Sequence, residues 1–239
     1  MSNVNGKIAL VTGGTSGFGK ATAKLLVEEG AKVIIASIGS EDELIAAKNE
    51  IGAIDFIQMD VTCPCDWDEA YSFVEKKYGR LDFLLNIAGG GVSIKETVNQ
   101  SIEEIDKIIM LNLNSVIYGS RVFGKMMKEQ KGGTIINFAS ACSKQAWPEW
   151  TVYASAKWGV LGFSKGLYVE LQPDNVRVTC IVPAAASTGF QKGANIGEVE
   201  LKLQPENIAR VVVDVCKLPE HVVVEEVTVW GIDQVVVPL

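Results

Sequence analysis

The sequence predicts a doubly wound α/β fold: a mostly parallel seven-stranded sheet with helices on both faces. Two observations carry that prediction. Short apolar, β-branched runs alternate with helix-like stretches along the whole chain, and such alternation implies crossover connections between parallel strands. The runs are also apolar at nearly every position, as fits strands covered on both sides.

The elements follow in order. "KIALVTG" (7–13) reads as a first strand ending in glycine, and 18–29 as a helix. "AKVIIAS" (31–37) is a second strand, 41–51 a helix, and "AIDFIQMDV" (53–61) a third strand. Residues 66–78 form a helix and "LDFLLNIAG" (81–89) a fourth strand. One long helical pattern fills 101–129, then "GGTIINFAS" (132–140) makes a fifth strand. Residues 153–171 are helical, "VRVTCIVP" (176–183) is a sixth strand, 205–217 a helix, and "EEVTVWG" (225–231) a last strand.

The chain of 239 residues is 48% hydrophobic and 21% charged, a balance with ample material for a core. No Pro/Gly/Ser-rich linker divides it and no repeat is visible, so residues 1–239 are expected to form a single domain. A net charge of −7 with scattered Lys and Arg speaks against nucleic acid as a partner. No run of about 18 apolar residues is present, so no membrane span is expected. The start, "MSNVNGKIALVTGG", lacks the charged opening and apolar run of a signal peptide, which predicts a cytoplasmic protein. The five cysteines, Cys63, Cys65, Cys142, Cys180 and Cys216, are an odd number and are expected to be free thiols. "CPC" at 63–65 invites a metal reading, but with one histidine, His221, and no second cysteine pair, no metal site is expected.

Ligands of such a sheet bind beyond the carboxyl ends of its strands. After the first strand comes "TGGTSGFG" (12–19). Gly13, Gly17 and Gly19 allow a tight turn, close approach to a pyrophosphate and close helix packing, with Thr15, Ser16 and Phe18 offering backbone to it. The helix that follows presents free N–H groups to an anion. The second strand ends at Ser37, followed by Glu41, Asp42 and Glu43, with neither an acid at the ribose position nor a nearby cation. A 2′-phosphate would lack partners there and face acids, so the reading leans to NAD over NADP. After the third strand, Asp60 and Val61 are placed for an adenine, although an aspartate here could equally cap the next helix. In "NIAGGG" (86–91), Asn86, Ala88 and Gly89 let a cofactor pass close to the backbone.

Tyr153 and Lys157 in "YASAK" stand one helical turn apart with small residues between them. Together, "TGGTSGFG", "NIAG", Asn112, Ser140 and "YASAK", in this order and spacing, resemble the short-chain dehydrogenase/reductase family from about residue 5 to residue 190. The resemblance implies the Rossmann fold, an NAD(P)(H) cofactor and a catalytic set of Asn112, Ser140, Tyr153 and Lys157. A tyrosine of ordinary pKa, about 10, is a poor base near neutrality, and a lysine ammonium favours its phenolate. Ser140 is expected to hydrogen-bond the substrate oxygen, and Asn112 to hold a water in a proton relay behind the lysine. Tyr153 and Lys157 also face the cofactor ribose, and Pro183 and Thr188 the nicotinamide. Two departures from the family pattern stand out. Ala184 replaces the usual glycine after Pro183, where a positive φ would strain it, and Ile87 replaces the second asparagine of "NNAG".

The substrate is expected between Ser140 and Tyr153 and beyond Thr188, against Cys142, Trp147, Trp150 and Phe190, which give the pocket an apolar or aromatic wall. The tryptophans could instead pack at a subunit contact. The short loop 189–204 has no arginine, so a carboxylate substrate lacks its best bidentate partner, with Lys192 or Lys202 as substitutes. This favours a plain secondary alcohol or ketone over a hydroxy acid. Against that, the ending "EEVTVWGIDQVVVPL" resembles the serine and 3-hydroxy acid dehydrogenase branch. The apolar "VVVPL" suggests a buried or intersubunit tail. Helices 101–129 and 153–171 resemble the pair through which the family dimerises, so a homo-oligomer, dimer or tetramer, is expected. A noncatalytic dinucleotide sensor on the same fold competes with the enzyme reading, but such proteins tend to lose the Tyr–Lys pair. A nucleotide-sugar epimerase or dehydratase would need a longer C-terminal substrate region.

Overall fold

A computed structural model describes residues 4–190 and 201–234. The seven strands are β1 (Ile8–Thr12), β2 (Lys32–Ser37), β3 (Asp55–Gln58), β4 (Phe83–Asn86), β5 (Gly133–Phe138), β6 (Val176–Pro183) and β7 (Glu226–Val229). They form one sheet in the order β3-β2-β1-β4-β5-β6-β7. Every pairing is parallel, so the sheet is wholly rather than mostly so. The chain winds outward from β1 in one direction and from β4 in the other, which opens a crevice above their carboxyl ends.

The helices are α1 (Gly17–Glu28), α2 (Glu41–Ile51), α3 (Pro64–Tyr78), α4 (Ile102–Ile109), α5 (Ser115–Glu129), α6 (Thr151–Leu171) and α7 (Pro205–Cys216). Their ends carry local signals. Ser40 and Glu43 form a reciprocal capping box on α2, which stops at Gly52 in the left-handed region. Pro64 and Pro205 open α3 and α7, where a missing N–H costs no helical bond.

Successive residues of the strands face opposite layers. Ala9, Val11, Val33 and Ile35 pack with Leu26 of α1 and with Ile208 and Val212 of α7. Leu10, Ile34, Leu84 and Val178 pack on the other face with Trp67 of α3, Phe123 of α5 and Leu167 of α6. This two-sided burial is why the strands read as unbroken apolar runs.

The single helical pattern over 101–129 is in fact interrupted. A π-helical turn, Met110–Asn114, separates α4 from α5. Its cause is Asn112, fully buried. The Asn112 amide donates to Gly90 O at 2.9 Å and Ile108 O at 3.0 Å, and its Oδ1 accepts from Gly90 N at 3.0 Å. The side chain thus spans from helix to the loop after β4, and the extra residue in the turn points it inward.

The cysteines also differ from expectation. Cys63 and Cys65 are joined by a disulfide across Pro64, while Cys142, Cys180 and Cys216 are free and buried. The spacing allows it because Cys63 is still extended as the cap of α3, which brings the two Cα atoms to 5.5 Å. Among the described residues no helix is long and apolar enough to cross a membrane.

Candidate active site

The glycine turn joins β1 to α1 directly over the crevice. Gly13 lies at φ 66°, and a side chain on it would press on Ala88 Cα at 3.1 Å. A side chain on Gly19 would meet Gly13 O at 2.1 Å. The turn therefore packs backbone against backbone, and only glycine fits. Ser16 caps α1 with no side-chain bond to it, and the first turn carries no acid. The leading N–H groups of α1, at Gly17, Phe18 and Gly19, therefore have no side-chain acceptor competing with an anion. Phe18 turns away, packing on Phe138 at 6.0 Å between ring centroids. Thr188 stands opposite, 3.8 Å from where a Gly17 side chain would begin.

Along the β2 and β3 ends, the Thr15 and Ser37 hydroxyls lie 3.1 Å apart. Glu43 is turned onto Ser40 N, 2.8 Å away, so one of the three acids near Ser37 is spent on its own helix. Asp60 Oδ1 accepts from both Thr62 N and the Thr62 hydroxyl, a local turn just after β3. Asp60 does not cap α3, a role taken by Cys63. Val61 is buried beside it.

Asn86 departs from the cofactor role expected of it. It is 2% exposed, and its amide donates to Ser120 and to Asn137 on β5. Asn137 passes the link on to Ser164 of α6. This buried chain ties β4, β5, α5 and α6 together beneath the site. Thr12 does the complementary work above, its hydroxyl accepting from Ile87 N and Ala88 N. Ile87 therefore loses nothing that the backbone here requires.

Ser140, Tyr153 and Lys157 converge where β5 meets α6. Ser140 ends the strand, and its hydroxyl accepts from Cys142 N at 3.2 Å. It also bonds the Tyr153 phenol, pulling its pKa down, while burial pushes the phenol up more strongly. Burial dominates because Tyr153 is 8% exposed. Lys157 is 4% exposed, and burial pushes its ammonium down to about 8. Its Nζ donates to Phe138 O at 2.9 Å and lies 5.7 Å from the Tyr153 ring centre. Gly89 leaves room for this group: a side chain there would come within 3.5 Å of Lys157 Nζ and 3.1 Å of Asn112 Oδ1.

An aromatic wall closes over Tyr153. Trp150 meets the Tyr153 ring edge-on at 5.7 Å, and Phe190 stacks on Trp150 at 6.1 Å and lies 5.8 Å from Tyr153. Cys142, Val92 and Trp147 belong to the same apolar cluster. Burial pushes the Cys142 thiol up, which makes it an apolar lining group rather than a nucleophile. Glu149, just before Trp150, is a non-glycine residue in the left-handed region at φ 69°.

Pro183 ends β6 buried, and Ala184 N donates to Val229 O. Ala184 takes no positive φ, so its replacement of glycine carries no strain. Thr188 accepts from Phe190 N at 3.3 Å. Most of the 189–204 loop, including Lys192, and the "VVVPL" end lie outside the described residues. Lys202 is exposed, with its N–H on Asp233. Sequence reasoning misses two supports. Gly90 holds Asn112 by two backbone bonds, and Gln234 ties the loop after β6 to the chain end, donating to Ala185 O and accepting from Gly231 N. The Gln234 bonds have a sequence signal, the glutamine in the ending; the Gly90 bonds have none.

The crevice fits a nicotinamide dinucleotide on the evidence of this backbone: a glycine cradle at Gly13 and Gly19, a helix N-terminus without a side-chain cap, and a cleared floor at Gly89. Known proteins agree. An uncharacterized oxidoreductase of Staphylococcus aureus (strain N315) is 35% identical over 231 residues, covering 96% of this chain and 99% of that protein. A serine dehydrogenase solved with NADP+ superimposes with a TM-score of 0.90 at 28% identity, covering 97% of this chain and 98% of that one. An alcohol dehydrogenase from the archaeon Thermococcus sibiricus, complexed with 5-hydroxy-NADP, gives 0.87 at 28% identity, covering 97% and 99%. The family model described as short chain dehydrogenase matches residues 7–198. By sequence, by sheet order and by the crevice at its centre, the chain belongs to the short-chain dehydrogenase family of oxidoreductases.

Proposed function

We propose that the protein is an NAD(P)(H)-dependent oxidoreductase that moves a hydride between nicotinamide and a secondary alcohol or ketone bearing an apolar or aromatic group. One observation carries the reading: Ser140, Tyr153 and Lys157 converge at the crevice beneath an aromatic wall. The dinucleotide, when bound, supplies the hydride. The chain does the rest. Ser140 orients the substrate oxygen, and Tyr153, kept as a phenol by burial, gives that oxygen its proton during carbonyl reduction. Lys157 holds positive charge beside both and binds the ribose hydroxyls. Asn112 has its side-chain amide committed to Gly90 and Ile108. What it offers a relay water is its main-chain carbonyl, in a π turn that disrupts the usual helical pairing.

The cofactor residues are then Gly13, Thr15, Ser16, Gly17, Phe18 and Gly19 through their backbone, Ser37 at the ribose, Asp60 and Val61 at the adenine, and Ala88 and Gly89 below. Both forms of the dinucleotide suit this set. The Thr15 and Ser37 hydroxyls serve a ribose hydroxyl or a phosphate, and the lean to NAD loses part of its support with Glu43 turned onto Ser40. The serine dehydrogenase neighbour keeps a hydroxy acid as a second substrate class to be assayed.

The Lys157 charge is present below about 8 and lost above it. The kcat/KM for the dinucleotide is therefore expected to fall as pH rises past about 8, and the falling limb to vanish in Lys157→Met. A profile flat to pH ~10 in the native enzyme would remove Lys157 from ribose binding. Phe190→Ala opens the wall over Tyr153, and KM for an aryl ketone is expected to rise about tenfold with kcat changed little. An unchanged KM would place Phe190 outside the substrate site.

The chain is also proposed to form a homo-oligomer. Trp158 of α6, 49% exposed, and Val169 of the same helix, 68% exposed, are large apolar groups facing outward. Light scattering is expected to return a multiple of 25.8 kDa; a stable monomer would refute it.

A further inference from the structure

The Cys63–Pro64–Cys65 segment lies apart from the acid–base site and has no part in the proposed hydride transfer. Its two sulfurs are joined, Cys63 is half-buried, and Cys65 is exposed. As a structural staple the bridge achieves little. A crosslink stabilises by shortening the unfolded chain, and that effect shrinks with the loop it closes; here a single residue intervenes. α3 is already held by Trp67, whose indole donates to Val61 O and whose ring sits in the core. An exposed bridge closing so short a loop belongs with the labile disulfides rather than the structural ones.

The position gives the bridge something to act on. Cys65 Sγ lies 3.2 Å from Asp66 Oδ1, and Asp66 Oδ2 accepts from Asp60 N at 2.8 Å. In the dithiol form Cys65 can donate to this carboxylate; in the disulfide it has no proton to donate. One carboxylate therefore separates the sulfur chemistry from the backbone of Asp60. The donor atoms of Cys63, Cys65 and Asp66 all lie within 4.8 Å of one another. The other three cysteines are buried, so a soluble reagent meets this pair first.

We propose that Cys63 and Cys65 form a reversible thiol–disulfide site, oxidised by low-molecular-weight disulfides of the glutathione class, whose state sets the affinity of the adenine end of the crevice. The coupling to affinity rests on the proposed dinucleotide binding; the thiol chemistry does not. In the oxidising direction, the Cys65 thiolate attacks the reagent disulfide, forming a mixed disulfide and expelling one thiolate. Cys63 thiolate then attacks Cys65 Sγ and expels the second. Two electrons pass to the reagent, and the two protein protons end on the two small thiols released. In the disulfide form the Asp66 carboxylate is left to Asp60 N, whereas in the dithiol the Cys65 S–H shares it, so reduction is expected to loosen dinucleotide binding.

The test uses the full chain equilibrated in glutathione buffers from fully reduced to fully oxidised. Mass spectrometry after alkylation reads the state of each cysteine, and fluorescence titration reads NADPH and NADH affinity at each ratio. The expected result is reversible loss of two alkylatable thiols, mapped to Cys63 and Cys65, with affinity about threefold weaker in the reduced form. Neither Cys63→Ser nor Cys65→Ser should form the bridge or show the shift in affinity, and Cys63→Ser should stop at the Cys65 mixed disulfide. Retention of both thiols in oxidised buffer, or accumulation of a stable glutathione adduct, would overturn the site. So would protection of the pair by added Zn²⁺ in reduced buffer together with no bridge on oxidation, which would make it a metal site instead. Reversible bridging with identical affinities would overturn the coupling. If neither dinucleotide binds in either state, the dinucleotide reading falls and the coupling with it, while the alkylation result still decides the thiol site.

Discussion

Tyr153→Phe is expected to lower turnover by about 10³- to 10⁴-fold while leaving dinucleotide affinity within about twofold of the native value. The substitution keeps the ring that packs against Trp150 and Phe190 at 5.7 and 5.8 Å, so the wall and the fold persist. It removes only the hydroxyl, which bonds Ser140 and, in the proposed reaction, gives the substrate oxygen its proton. Loss of general acid–base catalysis and of the oriented oxygen partner accounts for the size of the effect. Stopped-flow measurement of a single turnover separates this step from product release. A variant with more than about a tenth of native turnover would take Tyr153 out of the proton transfer.

Gly19→Ala is the second large effect. A methyl at this position meets Gly13 O at 2.1 Å, and carbonyl carbon at 2.6 Å. Backbone atoms cannot swing aside as a side-chain tip can. The β1–α1 turn must therefore shift, at a cost of about 3 kcal/mol or more. Because the same turn carries the leading N–H groups of α1, dinucleotide affinity is expected to fall by more than about tenfold as the melting temperature drops. Calorimetry with and without NADPH reads both quantities. A control, Gly132→Ala, adds a methyl where nothing lies within 4 Å and should leave both unchanged. Native affinity in Gly19→Ala would mean that the turn does not hold the pyrophosphate.

Much of the fold and of the site is legible in the amino-acid sequence. The strands are readable because both faces of the sheet are covered, so Ile8, Ala9, Leu10 and Val11 are all apolar and all buried. The glycine turn is readable because its backbone contacts exclude any side chain. Tyr153 and Lys157 are readable because one helical turn puts them on a common face. The π turn at Met110–Asn114 is not readable. Its sequence keeps an unbroken helical pattern, and what breaks it is a long-range bond from Asn112 to Gly90, 22 residues away. Asn86 misleads for a related reason. It sits at the expected place after β4, but its amide is consumed by Ser120 and Asn137, contacts set by the packing of α5 and β5. The upward shift of Tyr153 comes from burial, a property of the packed chain, and the left-handed Glu149 leaves no signature in composition. The Cys63–Cys65 bridge goes against a rule based on cysteine number, because a local extended cap overrides a count.

The central claim is that this crevice transfers hydride with Tyr153 as the acid. The measurement that tests it most directly is the oxidation of NADH and NADPH by the purified protein, followed by absorbance. The panel holds aliphatic, aryl and hydroxy-acid-related ketones, with Tyr153→Phe run in parallel. The account predicts turnover of an apolar or aryl ketone with at least one dinucleotide, lost in the variant. Tight dinucleotide binding with no turnover of any class, or turnover that survives Tyr153→Phe, would contradict it.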